Sequence, residues 1–297
     1  MKQLHIYRLA LTIFIFSALG PGMISAQTIT VGTIDDEAAD MMKRFLPLAT
    51  YLGQELRAEG FTQGRVVVAQ TTAEMATYLR EHKVDLHIDS YVRALALNRV
   101  AGSRPFLRRW KKGVAEYHGV IFVRNDSIIS KLEDLRGKTV AFDEPYSAVG
   151  YLLPKMLLME KGLNLIPVNT LPGAHGVSYA FAGSDENTMQ WVLNGKITAG
   201  AMDNQRYVNE ARARVNELKI LEKTPSVPRH VVGARGDLPP NLLSRIKEIL
   251  MRMDRSEGGK KVLQDLEQTA KFDDLTEQNI ALSQKLKKLI EAELKLQ

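Results

Sequence analysis

From residue 28 the chain repeats one pattern: a short apolar run of strand length, an amphipathic run of helical period, and another strand. Residues 28–34 form the first such strand. Residues 36–57 follow, with Met41, Phe45, Leu48, Leu52 and Leu56 spaced by three and four as on one helix face. Pro47 interrupts that face, so two helical pieces or a kink are expected. Residues 65–69 read as a strand, 72–81 as a helix and 84–88 as a strand. This alternation restricts the chain to an α/β fold with mostly parallel sheets covered by helices. In such sheets ligands lie beyond the C-terminal ends of strands. Thr33, Asp35 and Asp36 then flank one crevice after the first strand, and Asp89, Ser90 and Tyr91 after the third.

A second constraint lies in residues 138–154. Val140 to Phe142 reads as a buried strand, and Asp143-Glu144-Pro145-Tyr146 as a turn. Ser147 then precedes an apolar helical run as its N-cap. Ala148, Val149 and Gly150 occupy the first turn and leave backbone N–H groups approachable. Those groups and the positive end of the helix dipole can receive an anion. The same residues also suit an ordinary strand–turn–helix corner with a serine cap. Pro154 removes the N–H that would bond Gly150, so a kink or a short first segment is expected there.

With Pro145, Ser147, Gly150, Tyr151, Leu152 and Pro154, this stretch resembles the signature of the phosphate, phosphite and phosphonate periplasmic binding proteins, the receptors of ABC importers. The resemblance extends over most of residues 27–297. It takes in the first helix around Phe45 to Leu52, the segment from Lys83 to Ala94, and Arg235 to Pro239. It implies a type II-like periplasmic-binding-protein fold: two α/β lobes around a ligand cleft, joined by two crossing segments. It also implies a phosphate-like ligand and a permease partner. The sequence departs from the family at Ala148 and Val149, where hydroxyl side chains are usual, and at Asp185, where the family has a ligand histidine. Asp89-Ser90 replaces a Gly-Pro turn and adds a carboxylate.

Farther on, residues 117–123 read as a strand long enough to cross between lobes. The basic run at 108–112, with Trp110 inside it, reads as a solvated loop, the alternative being a site that meets a partner or an anionic surface. His118 reads as a packed or hydrogen-bonded histidine, since no second histidine stands at ligand spacing. Ser130 and Glu133 suggest a capping box on a short helix. A strand is expected near residues 164–169, then a glycine-proline loop at 171–176 to which His175 contributes no chemistry. Residues 184–195 read as a capped helix, 198–202 as a strand ending at Asp203, and 224–228 as an extended return crossing. Helices fill most of the remainder after residue 238.

The lobes are therefore expected at residues 27–119 plus 226–297, and at 120–225. Residues 1–26 resemble an export signal: Lys2 and Arg8, an apolar run at 9–19, and Ser25-Ala26 as cleavage site. The apolar run is too short to span a bilayer. Its removal would lower the net charge of +6 by two. There is no cysteine, which excludes disulfides, thiolate metal sites and an N-terminal lipid. These features point to a monomeric, non-lipidated periplasmic protein with no cofactor and no nucleic-acid partner. No nucleophile elbow, zinc-protease motif, phosphate-binding loop or Rossmann fingerprint is present, so catalysis is not expected.

The expected ligand set is Ser147, Ala148, Val149 and Gly150 for an oxyanion, with Tyr91 and Tyr117 as walls or phenolic donors. Asp35, Asp89, Asp185 and Asp203 would add negative charge. An anion beside several carboxylates is repelled by roughly 1 kcal/mol per close pair in water, more in a drier cleft. A zwitterion with an anionic head and an amine resolves the conflict, its amine on Asp185 and Asp203. The protein would then be a solute-binding receptor that closes around its ligand and serves an ABC permease or, alternatively, a membrane sensor.

Overall fold

The computed structural model describes residues 27–145, 147–168, 176–211, 214 and 216–294. Of Ala211 and residues 292–294 it describes the backbone alone. The expected export signal, Tyr146 of the turn, residues 171–175 of the loop with His175, and residues 295 and 296, where the last helix was expected to end, lie outside the described residues.

Along the chain come β1 (Gln27–Ile34), α1 (Ala38–Glu55), β2 (Phe61–Ala69), α2 (Thr72–Arg80), β3 (Leu86–Ser90), α3 (Tyr91–Ala101) and β4 (Arg104–Arg109). The short strand β5 (Glu116–Tyr117) leads into β6 (Gly119–Arg124) and β7 (Thr139–Phe142). Next are α4 (Leu153–Glu160), β8 (Asn164–Pro167), β9 (Gly176–Phe181), α5 (Asp185–Leu193), β10 (Ala199–Asp203), α6 (Asn204–Ala211) and β11 (Leu218–Lys223). The chain returns through β12 (Val227–Pro228) to β13 (His230–Ala234), α7 (Pro240–Arg252), α8 (Glu257–Asp265), β14 (Phe272–Asp274) and α9 (Glu277–Leu294).

Two separate six-stranded sheets result, each the floor of one lobe. The first has the order β14-β4-β13-β3-β1-β2, the second β11-β6-β10-β7-β9-β8. The two crossing segments pair with each other: β12 lies antiparallel to β5, with Val227 opposite Tyr117 and Pro228 opposite Glu116. The expected strand over residues 117–123 is thus broken at His118. Its first part belongs to the crossing ribbon and its second to the second sheet.

The sheets are less parallel than the alternation suggested. In the first, β1 runs parallel to β2 and β3, but β13, β4 and β14 are all added antiparallel. The reason is connectivity: β13 arrives directly from the crossing, with no helical crossover to reverse its direction. The second sheet keeps its parallel heart of β10, β7, β9 and β8.

Local chemistry explains most elements. Thr71, Ser90, Ser184 and Ser256 each accept a backbone N–H as the N-cap of a helix. α1 remains one helix through Pro47, and Lys43, whose carbonyl loses its partner, lies on the exposed face. Before Pro154 the helix widens into a π-turn over Ala148–Leu152, where Leu152 N–H bonds the Ser147 carbonyl at 2.9 Å. At Ser130 the capping acid is Asp134, not Glu133. Its carboxylate accepts from the Ser130 and Lys131 N–H groups at 3.0 and 3.2 Å, and the helix it starts is a single 3₁₀ turn.

The run at 108–112 is not a solvated loop. Arg108 and Arg109 belong to β4, and Arg109 is fully buried. Acids make this possible: Arg108 meets the nearby Glu116 and the distant Asp273, and Arg109 meets the distant Glu267.

One apolar cluster joins the lobes. Tyr91, Val92 and Leu95 of α3 and Leu286, Leu289 and Ile290 of α9 pack into the same core as Val149, Leu152 and Leu153. The second sheet therefore rests on α3 and α9.

Candidate functional site: a charged crevice at the crossing

The second-lobe wall starts where β7 ends. Ser147 Oγ accepts the Gly150 N–H at 3.1 Å, so that donor serves the cap. The N–H groups of Ala148 and Val149 remain as first-turn donors that the helix itself does not use. Ala148, Val149 and Gly150 are all buried. The carboxyl of Asp143 packs against Gly150, and one of its oxygens is buried without a partner. Burial raises the Asp143 pKa, against a hydrogen bond from Ser147 that lowers it.

Asp185, the first residue of α5, also has a buried oxygen without a partner. Burial pushes its pKa up to about 7, and the charges of Asp143 and Asp203 add to the shift. Asp203 is differently placed. One oxygen caps α6 through the Gln205 and Arg206 N–H groups at 2.6 and 3.4 Å. The other lies 3.5 Å from Arg229 Nη1.

On the first-lobe wall, Asp35 accepts the Glu37 N–H at 2.9 Å ahead of α1. Asp89 is buried, with one oxygen on the Ile34 N–H at 3.2 Å and the other unpartnered, 3.9 Å from His87 Nδ1. Burial pushes Asp89 up to about 7, against the opposing charge of Arg93. The Tyr91 hydroxyl donates to the Asn279 carbonyl, and its ring lies in the shared core. Burial raises its pKa to about 12. Tyr117 stands in the crossing under Arg229, whose guanidinium lies 5.3 Å from the ring centre. Burial raises the Tyr117 pKa, followed by the charge of Asp203.

Asp143 lies against Gly150, and its charge and that of Asp203 act on Asp185, so Ser147, Ala148, Val149, Gly150, Asp185 and Asp203 come together on the second lobe, with Tyr117 in the crossing. Asp35 and Asp89 stand on the other, and Tyr91 is packed beneath. Sequence reasoning missed Asp143 and the cations. Arg229 Nη1 donates to Gln205 Oε1 at 2.7 Å, while its buried Nε has no partner. Arg109 and Lys111 meet Glu267 at 3.0 and 2.9 Å, and Arg109 Nη1 is buried and unpartnered. Arg93 donates to the Ile34 carbonyl at 2.9 Å. Position alone could have marked two of these: Asp143 ends a strand beside the capping serine, and Arg229 ends the return crossing.

A cavity of about 640 Å³ lies elsewhere, between α2 and α3 and walled by Leu152 and Ile290. None of the ten expected residues lines it. The buried side-chain polar atoms without partners also lie outside its lining, and several of them belong to the crevice. Among the described residues no group of three or more His, Cys, Asp and Glu could hold a metal ion, and no helix is long and apolar enough to cross a membrane.

Residues 32–280 match the family model for the periplasmic substrate-binding protein of phosphonate ABC transporters. The phosphate-import protein PhnD of Mycolicibacterium smegmatis is 26% identical over 123 residues, covering 40% of this chain and 38% of that protein. The structure resembles XAC2383 of Xanthomonas citri, solved with chloride and with ATP. In the chloride form the TM-score is 0.77 and the identity 26%, over 91% of this chain and 99% of that one. PhnD1 of Prochlorococcus marinus, solved with methylphosphonate, shares the fold at a TM-score of 0.60 and 18% identity, over 89% and 98% of the two chains.

Proposed function

The chain belongs to the family of periplasmic substrate-binding proteins of phosphonate ABC transporters, and from that membership we propose that it captures a phosphonate or related oxyanion bearing an amine. The family is one of binding proteins, not enzymes. The observation that carries the proposal is the pairing of the Ser147-capped turn with two acids that each keep one buried oxygen without a partner, Asp143 and Asp185. The first-turn N–H groups supply neutral donors to the anionic head. The acids supply the counter-charge for an ammonium. Asp203, first expected in that role, is engaged by Arg229, so Asp143 takes its place beside Asp185.

The methylphosphonate held by the Prochlorococcus protein supports a phosphonate head. The ATP held by the Xanthomonas protein supports room for a larger phosphate-bearing ligand. We place the protein in the periplasm after loss of residues 1–26, delivering its ligand to an inner-membrane permease as a monomer. N-terminal sequencing of exported protein checks the cleavage after Ala26. Ligand-stimulated ATP hydrolysis by the reconstituted importer checks the delivery.

Calorimetric titration of the mature chain tests the ligand. An aminoalkylphosphonate is expected to bind tighter than methylphosphonate, and both tighter than sulfate. Inorganic phosphate binding tighter than the aminated compound refutes the acid half of the reading. Ser147→Ala, which removes the cap on Gly150 and the hydroxyl that donates to Asp143, is expected to weaken every phosphonate at least tenfold, the loss of a charge-assisted hydrogen bond being worth about 1.5–3 kcal/mol. A change within twofold refutes the helix half.

A further inference from the structure

We infer that the crevice has a second anion-recognition point at Arg229, supported by Lys111, and that the ligand carries a carboxylate beside its amine. The inference rests on the reading above and names the substrate class more narrowly: an amino acid with a phosphonate or phosphate at its far end.

Arg229 is fixed from both lobes. Its backbone N–H bonds the Ala115 carbonyl at 2.9 Å, and β12 before it is paired to β5. Its side chain lies over Tyr117 and reaches Gln205 and Asp203 of the second lobe. Even so, its buried Nε has no acceptor. Buried donors in folded proteins are nearly always met, by protein, water or ligand, so this N–H can take an acceptor that the chain itself does not supply. A guanidinium edge suits a carboxylate in particular, because two parallel N–H groups match its two oxygens.

The surroundings carry the same sign. Arg109 stands directly across from His230 in the register of β4 and β13, and it too has a buried N–H without a partner. His230 is held neutral by burial and then by Lys111, Arg109, Arg229 and Arg93. Glu267 is shared by Arg109 and Lys111. An added carboxylate would therefore enter a region of four cations faced by Glu267, Asp203 and the buried Asp89. The second-lobe wall has the opposite order, donors at Ser147 and then the acids Asp143 and Asp185. Asp203, whose charge acts on Asp185, also meets Arg229, so acid and cation are neighbours and the set is donor, acid, cation. Its complement is phosphonate, ammonium, carboxylate.

The test compares 2-aminoethylphosphonate with 2-amino-3-phosphonopropionate, which adds a carboxylate at the amine-bearing carbon. Calorimetry on the mature chain is expected to show the carboxylated compound binding at least 20-fold tighter. In Arg229→Gln that ratio is expected to fall below threefold, and in Lys111→Gln to fall partway. If Arg229 merely ties the lobes together, Arg229→Gln weakens both compounds equally and the ratio survives, which overturns the proposal. Equal affinity in the wild-type chain overturns it without any variant, so a misfolded Arg229→Gln does not rescue it. Aspartate, which lacks phosphorus, separates the two readings. If no phosphonate binds but aspartate binds in an Arg229-dependent way, the phosphonate reading falls and the carboxylate point stands. If neither class binds, both fall.

Discussion

Asp143 fills the space that a side chain at residue 150 would need: a β-carbon on Gly150 would stand 2.2 Å from Asp143 Oδ1. The Ser147-capped turn and the first acid of the crevice are thus in van der Waals register. Gly150→Ala must push the carboxyl aside or open the turn. Overpacking of this kind costs about 1–3 kcal/mol. Urea unfolding should show that loss, and titration should show at least a tenfold weaker phosphonate. Unchanged stability and affinity would mean that Asp143 has free room and does not shape the site.

Asp89 gives a pH signature. Its carboxyl is held at about 7 when folded, against 3.8 ordinarily. The folded chain therefore keeps this proton where the unfolded chain has lost it. The associated stability is fully present below 3.8 and is lost as pH rises to about 7. His87, lowered by burial to about 3, and His230, also lowered, act in the opposite direction below their ordinary value. The difference between wild type and Asp89→Asn isolates the carboxyl. The amide keeps an acceptor for the Ile34 N–H and carries no charge. Asp89→Asn should gain about 2 kcal/mol relative to wild type on going from pH 5.5 to pH 8. A difference independent of pH would show that Asp89 ionises normally.

Glu267 holds three cations. Arg109, Lys111 and Arg44 lie 3.0, 2.9 and 3.4 Å from its oxygens, and only 7% of its side chain is exposed. Burial pushes its pKa up, but Arg109 and Lys111 outweigh burial and hold it below the usual range. Glu267→Ala leaves the Arg109 charge buried without its counter-ion, a change that costs about 3–5 kcal/mol. Urea denaturation measures it. A loss under 1 kcal/mol would place this network with weakly coupled surface pairs.

Closure is expected because the proposed contacts come from both lobes. Ligand then shifts the balance toward the closed form by its differential affinity. Small-angle scattering of the mature chain should show a smaller radius of gyration at saturation with an aminoalkylphosphonate. An unchanged radius at saturation counts against hinge closure.

The legible parts of this molecule were those decided within a few residues. Ser147 and Ser184 announced their helices because a cap is a local bond. The alternation from β1 to β3 is local patterning too. β4 was missed because its arginines look solvated until Asp273 and Glu267, more than 150 residues away, are brought to them. β9 was missed behind a glycine-proline loop, although Val177, Tyr179 and Phe181 alternate as a strand should. The Ser147 turn, Asp185 and Asp203 could be named from the sequence because each sits at a helix start or a strand end. Arg229 and Lys111 could not, because what they meet, Asp203, Gln205 and Glu267, comes from other elements of the fold.

The two sheets also differ in when they can exist. Every strand of the second lies between residues 119 and 223, so that sheet is complete as soon as this stretch is available. The first sheet needs β13 and β14, which end at residues 234 and 274, and the shared core needs α9. As the chain emerges from N- to C-terminus, the lobe that begins first finishes last. Until then β3 has no antiparallel neighbour on its β13 side, and α3 lacks the helix that seats it against the second lobe. A truncation just before residue 230 would leave a finished second sheet attached to an exposed edge.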